Sequence, residues 1–159
     1  MSEIDAWISQ LQQSASAEAR ADAAEELGEF GGGPAVAALL SALSDPSDTV
    51  KVSTVLALGE LQVSDAAETL RLFLANPEPH LRGAATVALG QIGGPGAAAL
   101  LLPLSEDTEA AVRGACAWAL GTLGDPAASD VLARIAADPD FDVADAAEEA
   151  LRRLNSRRN

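Results

Sequence analysis

Glycine recurs at Gly28, Gly59, Gly90 and Gly121, each 31 residues beyond the last, and most other columns of the chain keep the same step. Leucine precedes each glycine at Leu27, Leu58, Leu89 and Leu120, and Leu151 continues the series. Three residues after each leucine stands Phe30, Leu61, Ile92, Leu123 or Leu154. A basic residue recurs at Arg20, Lys51, Arg82 and Arg113 before lapsing to Ala144. Turn residues follow suit at Asp45-Pro46, Asn76-Pro77, Asp107-Thr108 and Asp138-Pro139. A fixed period of this length marks a repeat architecture, in which a unit too small to bury its apolar face alone does so by stacking on its neighbours.

Each unit reads as two helices. The first carries an apolar stripe at i, i+3, i+4 and i+7: Ala35, Ala38, Leu39 and Ala42, then Ala66, Thr69, Leu70 and Phe73. The stripe continues as Ala97, Leu100, Leu101 and Leu104, then Ala128, Val131, Leu132 and Ile135. One period earlier, Ile4, Trp7, Ile8 and Leu11 match it, so the chain opens inside the first unit. An Asp-Pro type turn ends this helix, because proline cannot continue the hydrogen-bond ladder. The second helix buries Val50, Thr54, Ala57, Leu58 and Leu61, or in the fourth unit Val112, Cys116, Ala119, Leu120 and Leu123. Gly31, Gly93 and Gly124 follow it as expected left-handed caps. Alanine-rich apolar content with only 3% aromatic residues favours close-packed helices over a β-sandwich. The expected fold is all-α: an α-α superhelix of five helix-hairpin repeats, about ten helices, in one domain over 1–155. The repeats fall near 1–31, 32–62, 63–93, 94–124 and 125–155, and 156–159 form a short polar tail.

The chemistry available is narrow. A net charge of −14 repels phosphate backbones, so nucleic acid is not an expected partner. The acidic start lacks the regions of a secretory signal and no apolar run could span a bilayer, so no membrane is expected and the location is expected to be cytoplasmic. Cys116 is the only cysteine and His80 the only histidine, which rules out an internal disulfide, a cysteine cluster and a histidine-rich metal site. Cys116 falls on the buried stripe and His80 at a helix start, so both read as structural. Glu25 and Glu29, four apart, read as a solvated helix face rather than an acid–base pair. The Arg20, Lys51, Arg82 and Arg113 column, in step with Asp45, Asn76, Asp107 and Asp138, reads as a ladder between units. No catalytic residue, metal site or cofactor is therefore assigned.

Val112-Arg113-Gly114-Ala115-Cys116-Ala117-Trp118-Ala119-Leu120-Gly121-Thr122-Leu123-Gly124 resembles the second helix of a HEAT-like repeat, and 81–93 match equally well. The short, alanine-rich form is similar to the subtype named after phycobilisome (phycocyanobilin) lyases. The resemblance covers 1–155 and implies that second helices line a concave surface. At 100° per residue, the position two after Cys116 points away from the buried stripe, and across the repeats it reads Glu25, Leu56, Val87, Trp118 and Glu149. Four residues earlier on that face come Ala21, Val52, Gly83, Gly114 and Asp145, and four later Glu29, Glu60, Gln91, Thr122 and Arg153. The middle repeats thus offer Val52, Leu56, Glu60, Gly83, Val87, Gln91, Gly114, Trp118 and Thr122 as a protein-binding set between acidic ends. A central apolar strip with acidic ends suits an amphipathic or hydrophobic segment with basic flanks. The expected function is a non-catalytic scaffold or adaptor that binds a protein segment on its concave face. The alternative implied by the subtype is a subunit of a bilin lyase or related tetrapyrrole-handling protein, and self-association through the strip is a third reading. A designed scaffold is disfavoured by irregular stretches such as Leu61-Gln62-Val63-Ser64.

Overall fold

A computed structural model describes residues 2–157, which form ten α-helices and no strand among the described residues. They are α1 (Glu3–Gln13), α2 (Ala17–Phe30), α3 (Gly33–Ala42), α4 (Asp48–Glu60), α5 (Ala67–Phe73), α6 (Pro79–Ile92), α7 (Ala97–Leu101), α8 (Ala110–Leu123), α9 (Ser129–Ile135) and α10 (Phe141–Ser156). The starts follow from local chemistry. Ser2 and Asp5 form a reciprocal capping box at α1, with bonds of 2.9 and 3.2 Å. The Asp140 carboxylate accepts from the backbone of Asp142 and Val143 at the head of α10. Pro79 opens α6, where its missing N–H is no loss. Pro103 has the opposite effect: it cannot supply an interior bond, and α7 gives way to a 3-10 segment, Leu102–Glu106, after five residues.

The two layers differ in spacing. Each even-numbered helix packs along its length on the next, whereas odd-numbered helices, α1 against α3 apart, scarcely meet their successors. Small residues set the close spacing. A Cβ on Gly28 would lie 2.8 Å from the Ala57 Cβ, on Gly59 2.6 Å from the Ala88 Cα, on Gly90 2.6 Å from the Ala119 Cβ, and on Gly121 2.6 Å from the Ala150 Cβ. The glycine column of one unit therefore abuts an alanine column of the next, nearly backbone to backbone. Tight spacing in one layer and looser spacing in the other bends the stack towards α2, α4, α6, α8 and α10, which line its inner side.

Between the layers lies a core built in columns. Leu27, Leu58, Leu89 and Leu120 from the even helices meet Leu39, Leu70, Leu101 and Leu132 from the odd ones, all buried. Ala23, Thr54, Ala85, Cys116 and Ala147 form a further column, each fully buried. Cys116 is thus one of five small residues at an equivalent place. Its thiol donates to the Leu101 carbonyl at 3.3 Å, and burial pushes its pKa up to about 12, so it carries no thiolate at neutral pH.

The glycine caps need one correction. Gly31, Gly93 and Gly124 all take positive φ, at 65°, 71° and 69°, but only Gly124 lies in the left-handed helical basin. Gly31 and Gly93 have extended ψ values of −162° and −145°, because the chain leaves those helices outstretched towards the next unit. Gln62 fills the same column with φ 52°, a conformation that costs a side-chain-bearing residue about 1–2 kcal/mol. Its amide donates to the Gln91 carbonyl at 3.0 Å, which helps to hold it there.

The charged ladder is present with one rung missing. Arg20 forks onto Asp45 (2.8 and 2.9 Å), Arg82 onto Asp107 (2.8 and 2.7 Å) and Arg113 onto Asp138 (2.6 and 2.9 Å). The same guanidinium groups donate to the turn carbonyls of Ser14, Asn76 and Asp107, so each arginine ties its own turn to the next one. The arginine hydrogen bonds hold the three aspartates below the usual carboxylate range. Folded values depressed in this way add stability above the unfolded pKa, near 3.8, and lose it as pH falls through the folded values. Lys51 instead turns to Asp48 at 2.7 Å, and Asn76 makes no rung with it. Combining Lys51→Arg with Asn76→Asp is expected to raise the melting midpoint by about 2–4 °C, the effect of one bidentate charge-assisted pair in a domain of this size. A thermal melt read by circular dichroism tests this, and an unchanged midpoint in the double variant would count against the ladder as a stabilising device.

Candidate functional site

Leu56, Val87 and Trp118 project from α4, α6 and α8 at equivalent places on the inner side. All three are half-buried rather than fully exposed, and Val52, Leu56 and Trp118 rest partly against the core. The strip is therefore a shallow, partly sunk line, not a row of free side chains. Gly83 and Gly114 lie along it. Cβ atoms there would sit 4.0 Å from Val112 and 3.8 Å from Val143, so these glycines leave room on the surface rather than permit close helix contact.

Two recesses adjoin the line. The first, of about 240 Å³, lies between α2 and α4 and is lined by Glu25, Glu29, Ser53, Leu56, Ala57 and Glu60. The second, of about 430 Å³, lies between the first turns of α4 and α6 and is lined by Asp48, Thr49, Val52, Ser53, Glu78 and His80. Ser53 belongs to both, and its hydroxyl donates to Glu25 Oε1 at 2.8 Å. In the second recess the acids are matched. Asp48 faces Lys51, and Glu78 Oε1 lies 2.7 Å from His80 Nδ1, whose hydrogen bond lowers the Glu78 pKa. In the first recess no ion pair engages Glu25, Glu29 or Glu60 among the described residues.

The expected set therefore divides. Val52, Leu56 and Glu60 line recesses on the inner face, with Gly83, Val87, Gly114 and Trp118 beyond them on α6 and α8. Gln91 and Thr122 instead border a third cavity of about 480 Å³ near the last turns of α6 and α8, together with Gln62, Asp125 and the glycines at 93, 94 and 96. Sequence reasoning did not pick out Ser53, Asp48, Thr49, Glu78 or the recess-lining place of His80. A signal existed for Ser53: with Asp22 it breaks a column that continues as Ala84, Ala115 and Ala146.

The two acidic ends are not equivalent. Glu149 lies 3.0 Å from Arg152 and 3.1 Å from Arg153, and these arginines hold its carboxyl below the usual range. Among the described residues no group of three or more His, Cys, Asp and Glu side chains is placed to hold a metal ion, and no helix is long and apolar enough to cross a membrane.

Five stacked helical hairpins with the longer helices inside define an α-α superhelix, the architecture of the armadillo and HEAT solenoids. A sequence profile of HEAT repeats matches residues 4–89, 36–112 and 72–152, and the chain belongs to that family. Among solved structures, the complex of CpcE and CpcF of phycocyanin lyase from Nostoc sp. PCC7120 matches with a TM-score of 0.81 and 26% identity. That match covers 98% of this chain and 66% of the other, so the chain spans just under two thirds of its length. An engineered protein (TM-score 0.72, 22% identity, 98% of this chain and 81% of that one) shares the fold. So does a designed armadillo repeat protein (TM-score 0.68, 19% identity, 96% and 82%). No curated protein sequence matches the chain.

Proposed function

We propose that this HEAT-repeat chain is a non-catalytic binding module that holds a protein segment along its inner face. The observation that carries the reading is the apolar line of Val52, Leu56, Val87 and Trp118 on three successive inner helices, bordered by acidic recesses. An amphipathic segment with basic residues complements such a surface in both shape and charge. Trp118 is the expected anchor, since a large, partly desolvated aromatic residue commonly dominates binding energy. A synthetic amphipathic peptide with leucines along one helical face and terminal arginines serves as probe. Trp118→Ala is expected to weaken its binding by about tenfold or more, equivalent to about 1.4 kcal/mol, while the chain keeps a cooperative helical melt at a somewhat lower midpoint. Undiminished affinity in that variant would overturn the groove assignment.

A second reading is favoured by one observation, the match over 98% of this chain to a phycocyanin lyase complex. On that reading the chain is a subunit of a tetrapyrrole-handling assembly. Titration with free phycocyanobilin separates the two: a red shift and sharpening of the bilin absorbance would support the second, and an unchanged spectrum the first.

A further inference from the structure

We infer that the groove has a direction: the segment it holds carries its basic residues at one end only, and that end lies over α2 and α4. The inference rests on the proposed binding function and goes beyond it, because symmetric acidic ends would accept a segment either way round. Three carboxylates, Glu25, Glu29 and Glu60, share the recess between α2 and α4. Glu60 leans across to α2, with Oε2 4.0 Å from the place a Cβ on Gly28 would take. Glu25 Oε1 is taken by the Ser53 hydroxyl, which leaves its second oxygen for a partner. With no ion pair on this trio among the described residues, an arriving guanidinium or ammonium group gains from like charges already held together on a concave wall.

The other acids of the inner face offer less: they are paired, except Asp145 at the far end. Asp145 has no ion pair among the described residues but stands singly on a line of α10 shared with Glu149 and Arg153. Asp48 and Glu78 already face Lys51 and His80 in the middle. At the far end Glu149 is held by Arg152 and Arg153, and Glu148 lies 3.7 Å from Arg152. A cation arriving there would displace those arginines or be repelled by them. The apolar line between the ends, from Leu56 to Trp118, runs over α4, α6 and α8, so the apolar part of the segment must extend from the basic end towards α8. The groove thus orders its ligand as cation first over α2 and α4, then apolar side chains over α4 to α8.

The test uses the full chain and two synthetic amphipathic peptides of about 15 residues, long enough to lie along a helix-binding groove. One carries arginines at a single end and the other has neutral ends. The triple substitution Glu25→Gln, Glu29→Gln and Glu60→Gln is expected to lower affinity for the arginine peptide by about tenfold, to flatten its salt dependence, and to leave the neutral peptide unaffected. Glu149→Gln is expected to change affinity by less than about twofold, as exposed, internally paired charges do. A spin label at the arginine end should broaden amide signals of α2 and α4 and spare α10. Equal losses from the two sets of substitutions, or broadening at α10, would overturn the direction. In either case the binding reading would stand as long as Trp118→Ala still weakens both peptides. Failure of both peptides to bind the native chain would overturn the binding reading and the direction together.

Discussion

Leu89→Asp is expected to leave the chain without a cooperative thermal transition and with most of its helical signal lost at room temperature. Leu89 is 3% exposed in α6, in the column of Leu27, Leu58 and Leu120. Truncating a buried leucine costs about 2–5 kcal/mol. A carboxylate left there without a partner adds several more, or must be protonated at a similar cost. Together these approach the whole stability of an ordinary domain, about 5–15 kcal/mol. Position makes the loss worse. In a stack where each unit leans only on its neighbours, a failure in α6 parts α1–α4 from α7–α10, and neither fragment keeps a complete set of interfaces. Leu72→Asp is the matched control, because Leu72 is 75% exposed on α5, and a surface change of this kind stays within about 0.5 kcal/mol. Circular dichroism melts of the two variants check the account, and a native-like melt for Leu89→Asp would contradict the core assignment.

Gly90→Ala is expected to destabilise the fold even though the position is mid-helix. In an isolated helix the change would gain about 1 kcal/mol. Here the new methyl group would lie 2.6 Å from the Ala119 Cβ and 2.9 Å from its Cα. The obstacle is the Ala119 methyl, which cannot swing aside, and the backbone beneath it, so relief requires α6 and α8 to move apart, and overpacking of this kind costs about 1–3 kcal/mol. Adding Ala119→Gly removes the clashing methyl and should recover part of the loss, a non-additivity that a double-mutant cycle reads directly. Gly83→Ala supplies the contrast. A Cβ there would lie 4.0 Å from Val112 Cγ2, an ordinary contact, so the helical preference acts unopposed in mid-α6 and the variant should be at least as stable as the native chain. If Gly90→Ala were stabilising, close approach of the inner helices could not be what the glycine column is for.

These two positions also show how much was legible in the sequence. The 31-residue step gave the helix pairs, the leucine columns and the small-residue columns, because each depends only on which residues recur at equivalent places. The ladder was legible for the same reason, but Lys51 read as a rung only while the column was judged by charge. An ammonium group lacks the fork that lets Arg82 hold both Asp107 oxygens and a turn carbonyl at once. Helical geometry put Leu56, Val87 and Trp118 on one line, yet it could not show that they are half-sunk, since that depends on the distance between helices. The recess shared by Glu25, Glu29, Ser53 and Glu60 was hidden for the same reason: its walls come from two units. The unequal ends could have been read. Arg152 and Arg153 follow Glu149 by three and four residues, the spacing at which helical side chains pair. Gln62, standing where other units have glycine, likewise marked the turn that departs most from the pattern.

The inner-face groove is tested most directly by mapping amide shifts of the isotope-labelled chain as the one-ended arginine peptide is added. The account predicts changes concentrated on α2, α4, α6 and α8, strongest around Glu25, Leu56, Glu60, Val87 and Trp118, with the outer surfaces of α5, α7 and α9 silent. Shifts centred on the outer helices, for instance around Leu72, or none at saturating peptide, would contradict it.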